Sequence, residues 1–258
     1  TAAGSERSVR HLSSRRPGAR RIYRPGIRCR NGWIHTLGDI HVYAALTSGG
    51  KDSVLSIQLA LDAGLDVRYI VCVRPDNPDS FMFHSSNLDA VRLIAERGGM
   101  ESVEITTQGE KEDELIDLER GVSLLPIEGV VAGAIQSKYQ YDRVSSIAER
   151  LGLSVFTPLW QKDPEWIMDE VVRRLDAIIV VCAADGLGEE MLGAHIDAGV
   201  VERLKQISAR NRIHIAGEGG EYETLAINAP FYSTPIRWSD EVRRVYTGRS
   251  ELILNGLW

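Results

Sequence analysis

The 258-residue chain has 43% hydrophobic and 26% charged residues, ordinary proportions for a folded protein, and is long enough for one large core or two modest ones. No run of about 18 apolar residues argues for a membrane helix, and Cys29, Cys72 and Cys182 are too scattered for a disulfide framework or a zinc site, fitting a reducing, cytoplasmic setting instead. The net charge of −6 hides an asymmetry: residues 1–40 hold nine arginines against Glu6 and Asp39, a balance of +7 that leaves −13 for the remainder. That acidic body disfavours nucleic acid as a partner, since phosphate neutralisation needs clustered Lys and Arg. The basic arm is compatible with a transit peptide or a nucleic-acid-binding tail and reads best as a disordered leader.

From Val42 short apolar runs alternate with helical periodicities, the pattern of an α/β sheet. Val42 to Leu46 reads as a strand. Asp52 to Ala63 places Val54, Ile57 and Leu61 on one helical face and stops at Gly64. Val67 to Val73 is a near-continuous apolar run, expected of a strand covered on both faces, and Asn87 to Arg97 follows as a helix. Glu101 to Ile105, a charged helix near Lys111 to Arg120, and a strand at Gly129 to Ala134 complete a sheet expected to be parallel. After Tyr139 a helix runs to Leu151, and Pro158 and Pro164 then break the rhythm. Beyond them come a buried strand at Ala177 to Ala183, a helix at Val200 to Ala209, a Gly-rich acidic loop from Gly217 to Thr224, and a short strand at Leu225 to Ile227.

Between the first strand and first helix lies Thr47-Ser48-Gly49-Gly50-Lys51-Asp52-Ser53. Adjacent glycines let backbone N–H groups turn toward an anion, and the helix N-terminus adds partial positive charge. Ser48 and Ser53 can donate hydrogen bonds, and Lys51 can neutralise a pyrophosphate. An ordinary strand-to-helix turn, capped by Asp52 or Ser53, does not call for Gly-Gly-Lys between two serines. The spacing fits neither a Walker A loop nor a Rossmann turn.

Ser-Gly-Gly-Lys-Asp-Ser resembles the PP-loop of N-type ATP pyrophosphatases, which implies cleavage between the α- and β-phosphates. Three further segments narrow the resemblance: Glu128 to Ile135 leading into Gln136-Ser137-Lys138-Tyr139-Gln140-Tyr141-Asp142-Arg143, Gly217 to Thr224, and Phe83-His84-Ser85-Ser86-Asn87. Together they are similar to the diphthine–ammonia ligase family, over about Val42 to Phe231. The resemblance implies an α/β fold with a parallel-sheet PP-loop domain, adenine nucleotide alpha hydrolase-like (HUP), followed by a smaller α/β substrate domain. The expected division is a basic arm at 1–40, an ATP-binding domain at 41–145, a substrate-binding domain at 146–235 and a C-terminal extension at 236–258. Relatives tend to begin almost at the first strand, so the arm is a departure.

The implied activity is ATP-dependent amidation of diphthine on translation elongation factor 2 by ammonium, through an acyl-adenylate, with AMP and pyrophosphate released. ATP and Mg²⁺ are the implied cofactors, with Ser48, Gly49, Gly50, Lys51, Asp52 and Ser53 at the nucleotide and Lys51 and Asp52 in catalysis. Diphthine carries a trimethylammonium beside the reacting carboxylate, so its pocket should offer negative charge and an aromatic face. Glu218, Glu221, Glu223 and Tyr222, with Gly219 and Gly220, can supply that combination, although on residues alone the same loop reads as a solvated turn. Ser137, Tyr139, Gln140 and Arg143 follow a predicted strand end, where open parallel sheets bind ligands, or else simply begin an amphipathic helix. His84 and Asn87 enter only through the family pattern. No general base for ammonium is identifiable. The alternatives are a tRNA-modifying PP-loop pyrophosphatase, whose thiolating versions need reactive cysteines that Cys72 and Cys182 do not resemble, and a nucleotide-binding module without turnover.

Overall fold

A computed structural model describes residues 41–75, 87–107 and 113–258; the basic arm and His84 lie outside the described residues. The described residues belong to one unit, Ile40–Trp258. Its first sheet contains β1 (Val42–Leu46), β2 (Asp66–Pro75), β3 (Glu101–Thr107), β4 (Gly129–Val131) and β5 (Ser154–Phe156) in the order β3-β2-β1-β4-β5. Every pairing in it is parallel. Helices α1 (Lys51–Asp62), α2 (Ala90–Gly98), α3 (Asp113–Ser123) and α4 (Lys138–Leu151) make the connections. The chain works outward from β1 in one direction and then crosses to β4 on its other side, so the switch point falls between β1 and β4.

A second sheet has the order β7-β6-β9-β8, built from β6 (Asp176–Cys182), β7 (Tyr222–Asn228), β8 (Asp240–Tyr246) and β9 (Arg249–Asn255). It is antiparallel throughout, and α5 (Pro164–Arg174) and α6 (Ala198–Asn211) accompany it. The expected parallel α/β domain followed by a smaller α/β unit is thus the fold observed. The residues expected to form a C-terminal extension lie inside that second sheet, with β9 paired on both sides.

Helix α1 explains how the sheets combine. It is apolar on two sides: Val54 and Leu55 join the second-sheet core with Ile178, Ile179 and Leu225, whereas Ile57 and Ala60 pack with Ala45, Ile70 and Val131 of the first. On the opposite face of the parallel sheet, α3 and α4 contribute Leu118, Val122, Ile147 and Ala148 against Ala44, Val71 and Val130. At about 1.5 to 3 kcal/mol per fully buried large aliphatic side chain, these contacts fix the N-terminal end of α1 between both sheets. Helix α5 opens with Asp163 accepting from Glu165 N and Trp166 N, and with Pro164 in its first turn. A Pro in that position starts a helix, which is what the interruption at Pro164 does here.

Candidate active site

The segment Thr47–Ser53 leaves β1 at its carboxyl end and turns into α1. Gly49 takes φ +86°, where a side chain would be strained. Gly50 is the N-cap in extended conformation, and having no side chain it does not itself cap the helix. The loop stiffens itself: Ser53 Oγ donates to Gly50 O (3.0 Å) and Gly49 N donates to Thr47 Oγ1 (2.8 Å). A hydroxyl has one hydrogen to give, so in the 2.6 Å contact between them Thr47 donates to Ser53. Outside support comes from β7, where Ala226 N donates to Gly49 O (2.9 Å) and Thr224 Oγ1 accepts from Lys51 N (3.0 Å).

Lys51 is only 2% exposed. Its ammonium donates to Asp52 Oδ2 (2.8 Å) and Ala216 O (2.5 Å) and lies 5.2 Å from the centre of the Tyr222 ring. Asp52 Oδ1 is buried without a hydrogen-bond partner among the described residues. One residue the sequence reading passed over is essential to this geometry. A Cβ on Gly133 would stand 2.8 Å from Ser53 N and 2.9 Å from Asp52 C, so only glycine lets the segment after β4 pass this close to the start of α1. The signal was present as Ala132-Gly133-Ala134 at a strand end.

A cavity of about 700 Å³ opens at the carboxyl ends of β1, β2 and β4, the place where open α/β sheets bind ligands, with a volume in the range of nucleotide and drug-sized sites. It brings together Ser48, Gly50, Lys51, Asp52 and Ser53, the α4 start at Ser137, Tyr139 and Gln140, and Glu218, Gly219, Gly220, Tyr222 and Glu223. An apolar wall is supplied by Leu46, Val71, Val73, Leu88, Leu118 and Val144.

Several expected ligand-binding groups have structural partners instead. Glu221 accepts from His214 N (2.7 Å) and Gly219 N (2.8 Å), bracing the acidic loop. Glu218 accepts from Gln136 N (2.9 Å) and Ser137 N (2.7 Å), joining that loop to the start of α4. Tyr222, Glu223 and Thr224 were expected in the loop but begin β7. Tyr222 donates from its hydroxyl to Ile215 O (2.6 Å), and burial, with Asp52 and Glu221 nearby, raises its pKa well above the usual phenol value. Its ring meets Lys51. Glu223 pairs with Arg249 (3.2 Å). Ser137 caps α4, accepting from Gln140 N (3.3 Å), and the Arg143 guanidinium stacks 3.4 Å from the Tyr139 ring centre. Asn87, at φ 77°, donates to Leu252 O (2.9 Å) and accepts from Leu254 N (2.7 Å), so its amide clasps β9. The helix expected to start at Asn87 starts at Ala90.

The sequence matches the diphthamide synthase N-terminal domain over residues 41–155 and the diphthamide synthase C-terminal domain over 163–253. It is 35% identical over 217 residues to a diphthine–ammonia ligase of Schizosaccharomyces pombe, covering 76% of this chain and 36% of that protein. Proteins of the same name from Bos taurus and Mus musculus are 32% and 34% identical, over 75% of this chain and 81% of theirs. The chain thus spans about a third of the fission-yeast relative and about four fifths of the mammalian ones. A solved chain from Methanocaldococcus jannaschii, described as a predicted subunit of tRNA methyltransferase, superposes with a TM-score of 0.43 at 14% identity over 74% of this chain and 98% of its own, too loosely to bear on function.

Proposed function

The chain belongs to the diphthamide synthase family of diphthine–ammonia ligases, and from that premise we propose that it uses ATP to amidate the diphthine carboxylate of translation elongation factor 2 with ammonium. The products are diphthamide, AMP and pyrophosphate. One observation carries the reading: a helix N-terminus with glycine at its N-cap and an acidic, Gly-rich segment share one cavity. The first suits a polyphosphate; the second suits a trimethylammonium beside a carboxylate.

In this reaction the carboxylate oxygen attacks the α-phosphorus, the bond to the bridging oxygen breaks, and pyrophosphate departs. An acyl-adenylate remains. Ammonia adds to its carbonyl carbon, and AMP leaves with the electron pair. Ser48, Gly50 and Ser53, which line the cavity, hold the phosphates, and Gly49, outside the lining, makes the turn behind them, so catalysis rests on positioning and charge. Lys51 has two N–H groups on Asp52 and Ala216, and its third is assigned to the departing pyrophosphate. Magnesium, when bound, neutralises phosphate charge, and the buried, unpartnered Asp52 Oδ1 fits it. One carboxylate with phosphate oxygens and water is an ordinary magnesium set. Among the described residues no cluster of three or more His, Cys, Asp or Glu could hold a metal, so the ion would rest mainly on the nucleotide.

The part built on the parallel sheet, through β5, then holds the nucleotide, and the part built on the second sheet presents the substrate. Ser137, Tyr139, Gln140, Glu218, Gly219, Gly220, Tyr222 and Glu223 face it across the cavity, with Asn87, Arg143 and Glu221 supporting them. His84 keeps its assignment on sequence grounds. A thiolating tRNA enzyme is disfavoured, because burial pushes the Cys72 and Cys182 thiols up to about 11. No helix among the described residues is long and apolar enough to cross a membrane. The test is release of AMP and pyrophosphate from ATP, with and without diphthine-bearing factor and ammonium. Both should be required, with one amide per AMP. Production of ADP, or AMP release that responds to tRNA and not to the factor, overturns the proposal.

A further inference from the structure

The second sheet has two edges, and among the described residues only one is covered. At β7 the phosphate loop accepts a backbone bond at Gly49 O from Ala226 N and donates from Lys51 N to the Thr224 side chain. At the other edge, all seven residues of β8 are exposed, including Val242 (42%), Val245 (60%) and Tyr246 (54%). An exposed edge strand carrying apolar side chains is a template for another strand.

The turn determines which backbone groups are offered. Thr247 and Gly248 form a two-residue turn, and Tyr246 pairs with Arg249 beside it. A pair closing so short a turn exchanges both of its backbone bonds, and such pairs alternate along an antiparallel ladder. Tyr246, Arg244, Val242 and Asp240 therefore direct their N–H and C=O groups at β9. Glu241, Arg243 and Val245 direct theirs outward.

The side chains select the partner. Asp240-Glu241-Val242-Arg243-Arg244 is acidic in its first half and basic in its second, a charge order that complements itself when reversed. We propose that β8 pairs antiparallel with β8 of a second copy of this chain, about a two-fold axis at Val242. In that register Glu241 faces Arg243 of the copy and exchanges outward backbone bonds with it, Asp240 faces Arg244, and the two valines meet at the axis. Moving the axis to Glu241 or Arg243 puts like charges opposite each other, and a shift by a single residue of pairing mismatches the outward backbone groups. Within one chain, Arg243 lies 3.6 Å from Glu241 and Trp238 Nε1 donates to Glu241 (3.2 Å), contacts that pairing can replace or share.

The experiment is sedimentation velocity with light scattering on the full chain across a concentration series. The parent should double its mass with concentration. Asp240→Arg with Glu241→Arg, and separately Arg243→Glu with Arg244→Glu, should each weaken dimerisation at least about tenfold. Mixing the two should restore a dimer, and so should all four changes in one chain, because the reversed order is again self-complementary. Should a half-inverted chain fail to fold by circular dichroism, Val242→Lys puts two ammonium groups at the axis and should give single chains. A parent that stays single at every concentration shows that the charges merely guard the edge, and the proposal fails. It fails equally if both half-inverted chains dimerise as the parent does.

Discussion

Replacing Gly133 by alanine should disable the phosphate loop by pushing on its backbone. The new Cβ would lie 2.8 Å from Ser53 N and 2.9 Å from both Asp52 C and Ser53 Cα, whereas relaxed contacts of this kind need about 3.5 to 4.0 Å. The first turn of α1, or the segment after β4, must retreat by roughly 1 Å. Neither has slack, since α1 is packed on both sides and its first residue is hydrogen-bonded to β7. Overpacking of this kind costs about 1 to 3 kcal/mol of stability, and a displacement of about 1 Å in a positioning element costs about 10²-fold in rate. Initial rates of pyrophosphate release at saturating ATP, with thermal unfolding alongside, measure both. Gly152→Ala is the control: it sits at φ +68° with nothing within 4 Å of the new Cβ, so it should lose about 1 kcal/mol with its rate intact. A Gly133→Ala enzyme within twofold of the parent rate would refute the reasoning, as would an equal loss in the control.

Lys51→Ala and Gly50→Val should each abolish AMP production with the far-UV circular dichroism unchanged; the Gly50 Cβ would already touch Thr224 O at 3.4 Å, so a branched side chain crowds the anion-facing turn, and normal turnover in both would sink the PP-loop assignment. Glu218→Gln keeps an acceptor for Gln136 N and Ser137 N, so it should leave ATP affinity alone and raise KM for the diphthine-bearing factor; if ATP binding weakens by the same factor, Glu218 belongs to the nucleotide. Glu221→Gln keeps an acceptor for only one of His214 N and Gly219 N and sets a donor against the other, and should lower stability by about 1 to 3 kcal/mol in urea titrations; unchanged stability would mean that the loop does not need the brace. For the buried thiols, folded Cys72 and Cys182 titrate near 11 against an ordinary value of 9.0. Between those values the unfolded chain loses protons first, so stability should fall as pH rises from about 9 toward 11, and a Cys72→Ala, Cys182→Ala chain should lose much of that slope.

What was legible in the sequence was local. Ser48 to Ser53 announced a strand-to-helix turn opening on a cavity because its pattern is written in six adjacent residues, and the apolar runs at β1, β2 and β6 announced buried strands. The misses are long-range or depend on a partner. Asn87 reads as a helix start, and as a site residue only through the family pattern, until β9, more than 160 residues away, is seen to use both ends of its amide. Glu221 looks like a solvated charge until two backbone N–H groups are found on it. Tyr222 to Thr224 carry too few apolar residues to read as strand and extend only because β6 supplies the ladder. The hairpin of β8 and β9 could have been found from Thr247-Gly248 between two short runs, the second ending in Leu252-Ile253-Leu254, although the alternating burial of Ser250, Leu252 and Leu254 shows only in the structure.

The bonds from β7 to the phosphate loop also set an order of events during synthesis. Lys51 and Thr224 are 173 residues apart, so the loop leaves the ribosome long before the strand that holds it. Contacts of such separation form late. A nascent or prematurely ended chain would carry the nucleotide motif without the support that shapes it. On the proposed function, ATP cleavage should therefore begin only once the half carrying β7 exists.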